Sequence, residues 1–580
     1  MAAIDSIPLT LYQRVQKRKE SLYRERSSWD MRWLDISRNL LPFNGRFQTT
    51  DRNRGDKTFN NIIDESAQFA LDILTAGMMS GTSSPARPWF RAGVADEDLM
   101  ESNAVKLWLS KVTKLIQRVF RDGNTYRSLH SMYEELGAFG TAADIISKDY
   151  EYVIWHDALT AGEFAIATDR RGRVNTIARE YEMTVEQLVE EFVLQPNGSM
   201  DWSRVSPTVK NMWDSHNYDK GAPVVHLIQP RAMANRDMST RQSRQLPRNM
   251  PWQSVYIESG KEAPDKGVLR DSGYRDFPGL GVRWHTRGGD VYGVSPGMKA
   301  IGSIKQLQQE QMRKAQAIDY MARPPVAIPG ELKGREIDAL PGGMSYFNLG
   351  GANAKIQNLY DVRIELQPLL ADIQDVRTRI NKHFFADLFI MIANSPIKAG
   401  VTASEIAERH EEKLLMLGPV LERLHDELLS PLIDITFSDL VEAGAVPPPP
   451  PELENQALKI EFISVLAQAQ RAVGLGALDR LLGTVGNLAT ASGDPGVWDK
   501  INKDDAVERY ADMLAIDPEL IVSSDQVAYV RQARAQQQQA AAVAEAAPQM
   551  AQAAKSAAEA QEISAGNPAG SIEQFTGYTP

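Results

Sequence analysis

Gly293-Val-Ser-Pro-Gly297 is the stretch of this sequence that comes nearest to an enzymatic signature. It matches the G-x-S-x-G pattern, in which a serine nucleophile lies on a sharp turn between a strand and a helix. In that chemistry the residue after the serine donates its backbone N–H to the oxyanion. Here that residue is Pro296, which has no N–H, so an esterase-like hydrolase that uses Ser295 is a disfavoured alternative. We expect instead that Ser295 caps a helix whose first residue is Pro296.

Other residues that could do chemistry carry less weight. The sequence contains neither the glycine-rich phosphate loop of nucleotide-binding proteins nor the H-E-x-x-H pattern of zinc peptidases. His410-Glu-Glu412 lacks a second histidine, and Asp96-Glu-Asp98 and Asp504-Asp505 are typical of negatively charged helix N-termini. The absence of cysteine from the sequence excludes disulfides and thiolate metal sites. We therefore predict that the chain is not an enzyme and holds no cofactor and no metal.

Length and charge restrict the remaining possibilities. At 580 residues the chain is too long for a single hydrophobic core. It has no run of about 18 apolar residues, so we expect no membrane partner. The net charge of −11 argues against tight wrapping of nucleic acid, which needs many cationic contacts to phosphates. The same charge is compatible with an acidic wall along which DNA slides and with simple solubility.

The elements that must position any site begin with helices. Four apolar stripes at helical spacing precede residue 140, and the first stops at Pro42. The pattern then changes to short strands, with a turn at Asp169–Gly172 and a capping box of Thr184 and Gln187. The segment 233–251 is polar and arginine-rich, and we expect a mobile loop. This half of the chain is predicted to be α+β. The candidate strands are 151–155, 162–167, 173–178, 224–228, 253–257 and 281–285.

The middle of the chain predicts two long helices around a small insert. The first runs from Ser295 to about Ala322 and is rich in glutamine, so we expect it to need neighbours rather than a place in the core of a monomer. The second runs from about Val362 to Phe389. A short strand is expected at 325–328, within the glycine- and proline-rich insert between them.

A short loop with helix breakers follows the second helix and contains Lys398. Thr402 and Glu405 form a capping box for the next helix. That helix carries a leucine stripe interrupted by Pro419 and Pro431, where we expect kinks.

The last part of the chain has low complexity. Pro447 to Pro451 predict a stiff polyproline spacer, which we interpret as an inert linker rather than a recognition motif. A strand at 458–462 and two helices follow. From residue 523 the chain becomes rich in alanine and glutamine, which favours a helix that Pro548 interrupts. An isolated helix of this type is marginal in water, so both a bundle of parallel copies and a frayed tail remain open.

Three peptides carry a resemblance to a known family. They are Gly77-Met-Met-Ser-Gly-Thr-Ser-Ser-Pro-Ala-Arg-Pro-Trp-Phe90, Ile460-Glu-Phe-Ile-Ser-Val-Leu-Ala-Gln-Ala-Gln-Arg471 and Trp498-Asp-Lys-Ile-Asn-Lys-Asp-Asp-Ala-Val-Glu-Arg-Tyr510. Together they resemble the portal, or head-to-tail connector, proteins of short-tailed, T7-like bacteriophages (podoviruses). Within the first peptide, Trp89 and Phe90 could anchor a partner, but we favour the interpretation that they close their loop onto the core.

The resemblance implies an α+β, mainly helical portal fold assembled as a ring. Its parts are a wing (1–294), a first stem helix (295–323), a clip (324–360), a second stem helix (361–391), a channel loop (392–402), a long kinked helix of the wing (403–445), a crown (446–522), a C-terminal barrel-type helix (523–562) and a disordered tail (563–580).

The resemblance also implies a function. The chain would form a homo-oligomer, expected to be a dodecamer, at the portal vertex of the virion after assembly in the host cytoplasm. Double-stranded DNA would pass through its channel during packaging and ejection. Implied protein partners are terminase, adaptor and tail proteins, the major capsid protein and scaffolding protein. A minor capsid or scaffolding protein without a channel is the alternative.

Candidate DNA contacts are basic residues of the two long helices and the loop after them. Lys398 is the first choice because it lies in that loop. The further candidates are Arg313, Lys314, Arg377 and Lys382. Neighbouring basic residues of the same helices, Lys299, Lys305 and Arg379 among them, compete for ion pairs between subunits with the acidic residues Glu310, Asp319, Asp372 and Asp375.

Overall fold

The computed structural model describes residues 9–48, 62–94, 102–259, 267–322, 365–393, 417–453, 458–463 and 524–565, together with residues 96 and 99, short strands at 326–327 and 357–358, and parts of 481–522. The chain divides into two compact units. The first comprises residues 1–95 and 108–473, and the second comprises residues 96–107 and 474–580.

Helices dominate the described residues and are numbered here in chain order. They are α1 (Leu11–Asn39), α2 (Ser66–Thr82), α3 (Asn103–Asp122), α4 (Thr125–Phe139), α5 (Val185–Phe192), α6 (Pro207–Asp214), α7 (Arg241–Gln245), α8 (Pro296–Ala322), α9 (Leu366–His383), α10 (Ala386–Ala393), α11 (Gly418–Leu424), α12 (Ser430–Glu442) and α13 (Ser524–Ala565).

Among the residues that the structure describes, the strands form four antiparallel sheets, in the orders β4-β5-β6-β7-β8, β3-β2-β9, β1-β12 and β10-β11. They are β1 (Phe90–Val94), β2 (Thr141–Asp149), β3 (Val153–Leu159), β4 (Phe164–Thr168), β5 (Val174–Thr184), β6 (Gly221–Pro230), β7 (Trp252–Glu258), β8 (Val268–Tyr274), β9 (Gly279–Arg283), β10 (Val326–Ala327), β11 (Gln357–Asn358) and β12 (Leu458–Phe462).

Helix α1 illustrates how local signals and packing agree. It begins at a capping box, in which Thr10 Oγ1 accepts the N–H of Gln13 at 3.3 Å and the Gln13 amide oxygen accepts the N–H of Thr10 at 3.2 Å. Its predicted apolar stripe is buried, with Trp33 and Ile36 almost inaccessible to solvent. The helix ends before Pro42, as predicted. Its N-terminal half covers one face of the five-stranded sheet.

The main core lies between α1, α2, α4, α8 and the three-stranded sheet. Trp33 donates its indole N–H to the carbonyl of Phe139 at 3.0 Å, at the point where α4 ends. Gly140 follows with a left-handed φ of +79°, which a residue with a side chain rarely adopts. A Cβ at Gly140 would also collide with the backbone of Gly293. This close approach fixes where α8 begins.

Two of the three signature peptides meet in the sheet β1-β12. Phe90 pairs with Phe462 in the antiparallel register. Trp89 is buried, and its ring stacks on Phe120 and on Phe462 with centroids 6.0 and 6.4 Å apart. The interpretation that Trp89 and Phe90 close their loop onto the core is therefore confirmed. Most of the third peptide lies outside the described residues.

The prediction of one continuous second long helix is wrong. The structure has two helices, α9 and α10, separated at Phe384 and Phe385, and Phe385 has a left-handed φ of +56°. No glycine or proline occurs at the break. Phe384 is fully buried, and Phe385 packs near Trp284 with ring centroids 6.2 Å apart. Tertiary packing has therefore overridden a helical sequence pattern here.

The prediction that the first long helix has no place in the core of the chain is also partly wrong. The first half of α8 contributes Ile304 and Leu307 to the main core. Its second half is largely exposed, and Met312, Ile318 and Tyr320 are each about half accessible. The helix therefore passes from the core of its own chain to a surface where apolar side chains face outward.

The two prolines of the leucine-striped helix have different surroundings. Pro419 lies in the first turn of α11, where its missing N–H leaves no hydrogen bond unmade. Pro431 lies in the first turn of α12, directly after a π-helical turn at His425–Leu429. A wider turn accommodates a proline ring that would clash with the carbonyl four residues earlier.

Two further expectations, the loop at 233–251 and the list of strands, need correction or extension. The segment 233–251, expected to be a mobile loop, contains α7 and 3₁₀ turns at Met233–Asn235 and Pro247–Asn249. Its turns are tied together by Arg236, which donates to the carbonyl of Asn249 at 2.8 Å. Strands β1, β2, β8 and β11 were not predicted.

The second unit contains α13, which is described here by itself. The helix runs from Ser524 to Ala565 and passes through Pro548 without a break, so the predicted interruption at Pro548 is wrong. The alanines on both sides have high helix propensity, and a proline removes a single hydrogen bond. The helix also extends three residues beyond the predicted end at 562; residues 566–580 lie outside the described residues.

Candidate functional site

Helices α8 and α9 are paired, and most of the basic residues proposed to meet DNA lie on them. They run in opposite directions, because Gln306 accepts a hydrogen bond from Arg379 at 3.5 Å while the later Glu310 lies beside the earlier Asp372. Ile304 and Leu307 of α8 and Ile373, Val376 and Ile380 of α9 belong to the same buried cluster. The pair is thus anchored in the main core at one end.

A short strap before α2, residues 62–65, crosses this helix pair. Gln308 Oε1 accepts the N–H groups of Ile63 and Asp64 at 2.6 and 2.9 Å, and Gln308 Nε2 donates to the Asp64 carbonyl at 2.9 Å. Asp64 Oδ2 accepts from Gln311 Nε2 and from Arg377 Nη2, each at 2.6 Å. The Asp64 carboxylate therefore joins α8, α9 and the start of α2.

The protonation state of Asp64 is set by these contacts. Burial alone would raise the pKa of this carboxyl group. The hydrogen bonds from Ser66 and Arg377 outweigh burial and lower the pKa of Asp64 below its ordinary value. Asp64 is consequently an anion at neutral pH, and Arg377 is its counter-ion.

A second carboxyl group lies between the paired helices. Glu310 Oε1 accepts from Gln306 Nε2 at 2.7 Å. Burial raises the pKa of Glu310, and the hydrogen bond and negative charge of Asp372 raise it further, while Gln306 opposes the rise. Glu310 and Asp372 therefore lie close together between the two helices.

The proposed DNA contacts separate into two groups. Arg377 is tied to Asp64, Lys305 to Asp35 at 2.7 Å, and Arg379 to Asp375 at 3.1 Å. Within the part of the chain that the structure describes, the side chains of Arg313, Lys314 and Lys382 make no ion pair or hydrogen bond, and Arg313 and Lys382 are exposed. Lys398, Thr402 and Glu405 lie outside the described residues.

Ser295 is a helix cap in a buried setting. Its Oγ accepts the N–H of Met298 at 2.8 Å and donates to the carbonyl of Ala138 at 2.7 Å, and the residue is inaccessible to solvent. The two glycines of the G-x-S-x-G pattern serve the same junction. A Cβ at Gly293 would collide with the backbone of Gly140, and a Cβ at Gly297 would lie 2.8 Å from the Ala138 carbonyl. The glycines of the pattern are therefore explained by close contact between the backbone at 293–297 and the backbone at 138–140.

Sequence reasoning missed an arrangement that looks catalytic. His156 Nδ1 contacts Asp144 Oδ2, and His156 Nε2 lies 3.1 Å from Thr125 Oγ1. All three side chains are buried, and Thr125 is the first residue of α4. No substrate can reach this Thr-His-Asp set, which ties α4 to β2 and β3. The residues are too far apart in sequence for spacing alone to have indicated it.

A charged cleft of about 680 Å³ was also not predicted. It lies between the turn at residues 169–172 and the helix that contains Pro419, and it opens to solvent. Arg283, almost fully buried, donates to both carboxylate oxygens of Glu427, while Arg423 donates to Thr286 Oγ1 at 2.8 Å. Its lining arginines and acidic residues are equal in number, five of each, so the cleft favours neither an anion nor a cation.

Comparison with known proteins shows which family this chain belongs to. Residues 12–522 match the family model described as bacteriophage head to tail connecting protein. The chain belongs to this family. The predicted resemblance to head-to-tail connectors is therefore confirmed.

Two relatives cover nearly the whole connector chain. A probable portal protein of Bordetella phage BPP-1 is 51% identical over 517 residues, which is 89% of this chain and 90% of the relative. A portal protein of Salmonella phage epsilon15 is 41% identical over 526 residues, covering 90% and 91% of the two chains. Both phages are podoviruses. These matches identify a structural component of a phage particle and support neither the hydrolase nor the channel-free scaffolding alternative.

Solved structures resemble the connector chain only weakly. A neck of an empty gene transfer agent particle aligns with 73% of this chain and 84% of its own at a TM-score of 0.33, and a native gene transfer agent virion aligns with 72% and 95% at 0.31. Both are 12% identical in sequence. Separately, no helix among the described residues is long and apolar enough to cross a lipid bilayer.

Proposed function

We propose that this connector chain is the subunit of a portal ring, through which double-stranded DNA enters and leaves the capsid. The observation that carries the proposal is the identity of 51% and 41% to proteins named as portals, over about nine-tenths of the chain. The ring is a homo-oligomer, proposed to be a dodecamer, at one vertex of the capsid in the virion. It assembles in the host cytoplasm together with the major capsid and scaffolding proteins.

Within this proposal the paired helices α8 and α9 are the stem, and residues 324–360 are the clip that receives terminase and later adaptor and tail proteins. The exposed apolar side chains in the second half of α8 support such an arrangement, because neighbouring copies would cover them. Residues 1–294 with 403–445 form the wing, 446–522 form the crown and 392–402 form the channel loop. Helix α13 is proposed as the helix that each subunit contributes to a C-terminal helical barrel.

Negative-stain imaging of the purified full-length chain tests the ring directly. Face-on views should show rings with a central hole, and mass measurement should give a whole multiple of the 64.5 kDa chain near twelve. A preparation that stays monomeric at micromolar concentration, with its stem helices protected from hydrogen exchange, contradicts the proposal.

The DNA contacts proposed for the channel are Lys398, Arg313, Lys314 and Lys382; Arg377 ranks last because Asp64 holds it. We expect Lys398→Ala to leave ring assembly intact and to reduce DNA packaging or retention in particles. Lys382→Ala should reduce them less, and Lys305→Ala, whose amine is paired with Asp35, is the matched control. Normal DNA content in a Lys398→Ala particle removes that residue from the channel.

A further inference from the structure

The bend between α9 and α10 needs an explanation outside its own sequence. Phe385 takes a left-handed φ of +56°, a backbone conformation that is unfavourable for a residue with a Cβ. The residues around it, His383-Phe384-Phe385-Ala386, contain no helix breaker. A strained bend persists only where the surrounding structure holds it. Something packed against both helices must therefore keep the angle between them.

Helix α2 contacts both α9 and α10, the two helices on either side of this bend, which together are called the bent arm here. At its first end, the strap residue Asp64 receives hydrogen bonds from Arg377 of α9 and Gln311 of α8, each at 2.6 Å. Asp64 is 7% exposed, whereas the Arg377 side chain is 38% exposed, so the carboxylate is the shielded member of this pair. The strap continues into α2 through Ser66, whose N–H is donated to Asp64 Oδ1 at 2.9 Å.

At its other end, α2 meets α10 through a glycine. A methyl group at Gly77 would overlap the ring of Phe389, so α2 and α10 approach more closely than any other residue type would allow. Phe389 is 5% exposed, and Met78 beside Gly77 belongs to the same buried cluster. From Ser66 to Gly77 a helix spans roughly 17 Å at 1.5 Å per residue. The two anchor points are therefore separated by a rigid rod.

We propose that α2 is a splint for the bent arm: Asp64 and Gly77 are positioning residues that fix the angle between α9 and α10. The consequence rests on the proposed portal function. Helix α10 ends at Ala393, within the range 392–402 proposed as the channel loop, so the splint fixes the direction of the helix that precedes that loop. Arg377 acts in this device as an anchor for the splint, which agrees with its last place among the proposed DNA contacts.

Hydrogen–deuterium exchange on the full-length chain tests the splint. The Gly77→Ala and Asp64→Asn variants each release one anchor. Each should speed amide exchange in residues 384–393 by about tenfold, the effect expected when a packing contact of this size is lost. Gly302→Ala is the matched control, because an added methyl at this exposed helical glycine has no neighbour within 4 Å. That variant should leave exchange in residues 384–393 unchanged.

Rescue separates a specific fit from general destabilisation. In the double variant Gly77→Ala with Phe389→Leu, the smaller side chain makes room for the methyl, and slow exchange in residues 384–393 should return. Two results overturn the splint: Asp64→Asn accelerating exchange only at 62–66 and 308–311, or no recovery in the double variant. Imaging of wild-type rings is scored separately, so a failure of the portal proposal is distinguishable from a failure of the splint.

Discussion

Glu135 shows how one buried residue gives the fold a pH dependence. Its carboxyl group accepts hydrogen bonds from Thr160 Oγ1, the N–H of Ala161 and Asn44 Nδ2, at 2.6, 3.0 and 3.2 Å. Burial nevertheless raises the pKa of Glu135 from 4.5 to about 7, and the hydrogen bonds only oppose that rise. The folded state therefore keeps a proton that the unfolded state releases between about pH 4.5 and 7.

The sign of the effect follows from that raised pKa. The contribution of Glu135 to stability is greatest below pH 4.5 and is lost as the pH rises to about 7, by roughly 3 kcal/mol in all. Unfolding by denaturant at pH 5 and pH 8, at fixed protein concentration, measures it. The Glu135→Gln variant should lose less stability between these two pH values than the wild type. Equal losses in the two proteins would show that Glu135 does not titrate in this range.

The G-x-S-x-G pattern shows which roles of single residues can be predicted from sequence and which cannot. Pro296 alone was enough to disfavour a nucleophile, and the cap could be predicted because Ser295 and Pro296 are adjacent. The reason for the two glycines could not, because Gly293 and Gly297 are shaped by Ala138 and Gly140, about 155 positions away. The same limit hid the Asp64–Arg377 pair, whose members are 313 positions apart.

Elements were predictable where a strong period or a capping residue stood in the sequence. The start of α5 followed from its capping box, the end of α1 from Pro42, and most of the strands of the five-stranded sheet from their residue pattern. Strand β1 was missed because its pairing partner β12 lies some 370 positions away. Strand β8 was missed because its sequence is largely polar. The break at Phe385 was missed because the apolar period continues through it.

Helix α13 supplies a prediction about an element. Pro548 is exposed and interior to the helix, so it removes one backbone hydrogen bond without any packing to compensate. Replacing it with alanine should stabilise the surrounding turns by about 3 kcal/mol, the difference in helix propensity between these residues. Amide exchange in residues 545–552 should slow by at least about tenfold, whereas Gln549→Ala should change it little. Unchanged exchange in Pro548→Ala would mean that residues 541–556 are not helical in solution.

At the scale of the whole molecule, the division into two units decides what α13 can contribute within one chain. Nearly all of its described side chains are exposed, including Tyr529 at 74% and Val530 at 50%. A helix that buries so little surface adds almost nothing to the free energy of unfolding of its own chain. The barrel of parallel copies proposed above would supply contacts to these exposed side chains.

Truncation after Ser523 therefore has two expected results. The free energy of unfolding of the first unit should change by less than about 0.5 kcal/mol, as for a surface change remote from the core. Imaged rings should persist but lose density on the axis above the crown, if α13 is a helix of that barrel. Truncation after Gly566 is the control, because it removes residues beyond α13 and should preserve that density. A clear fall in the free energy of unfolding of the first unit on removing α13 would mean that the helix packs against its own chain.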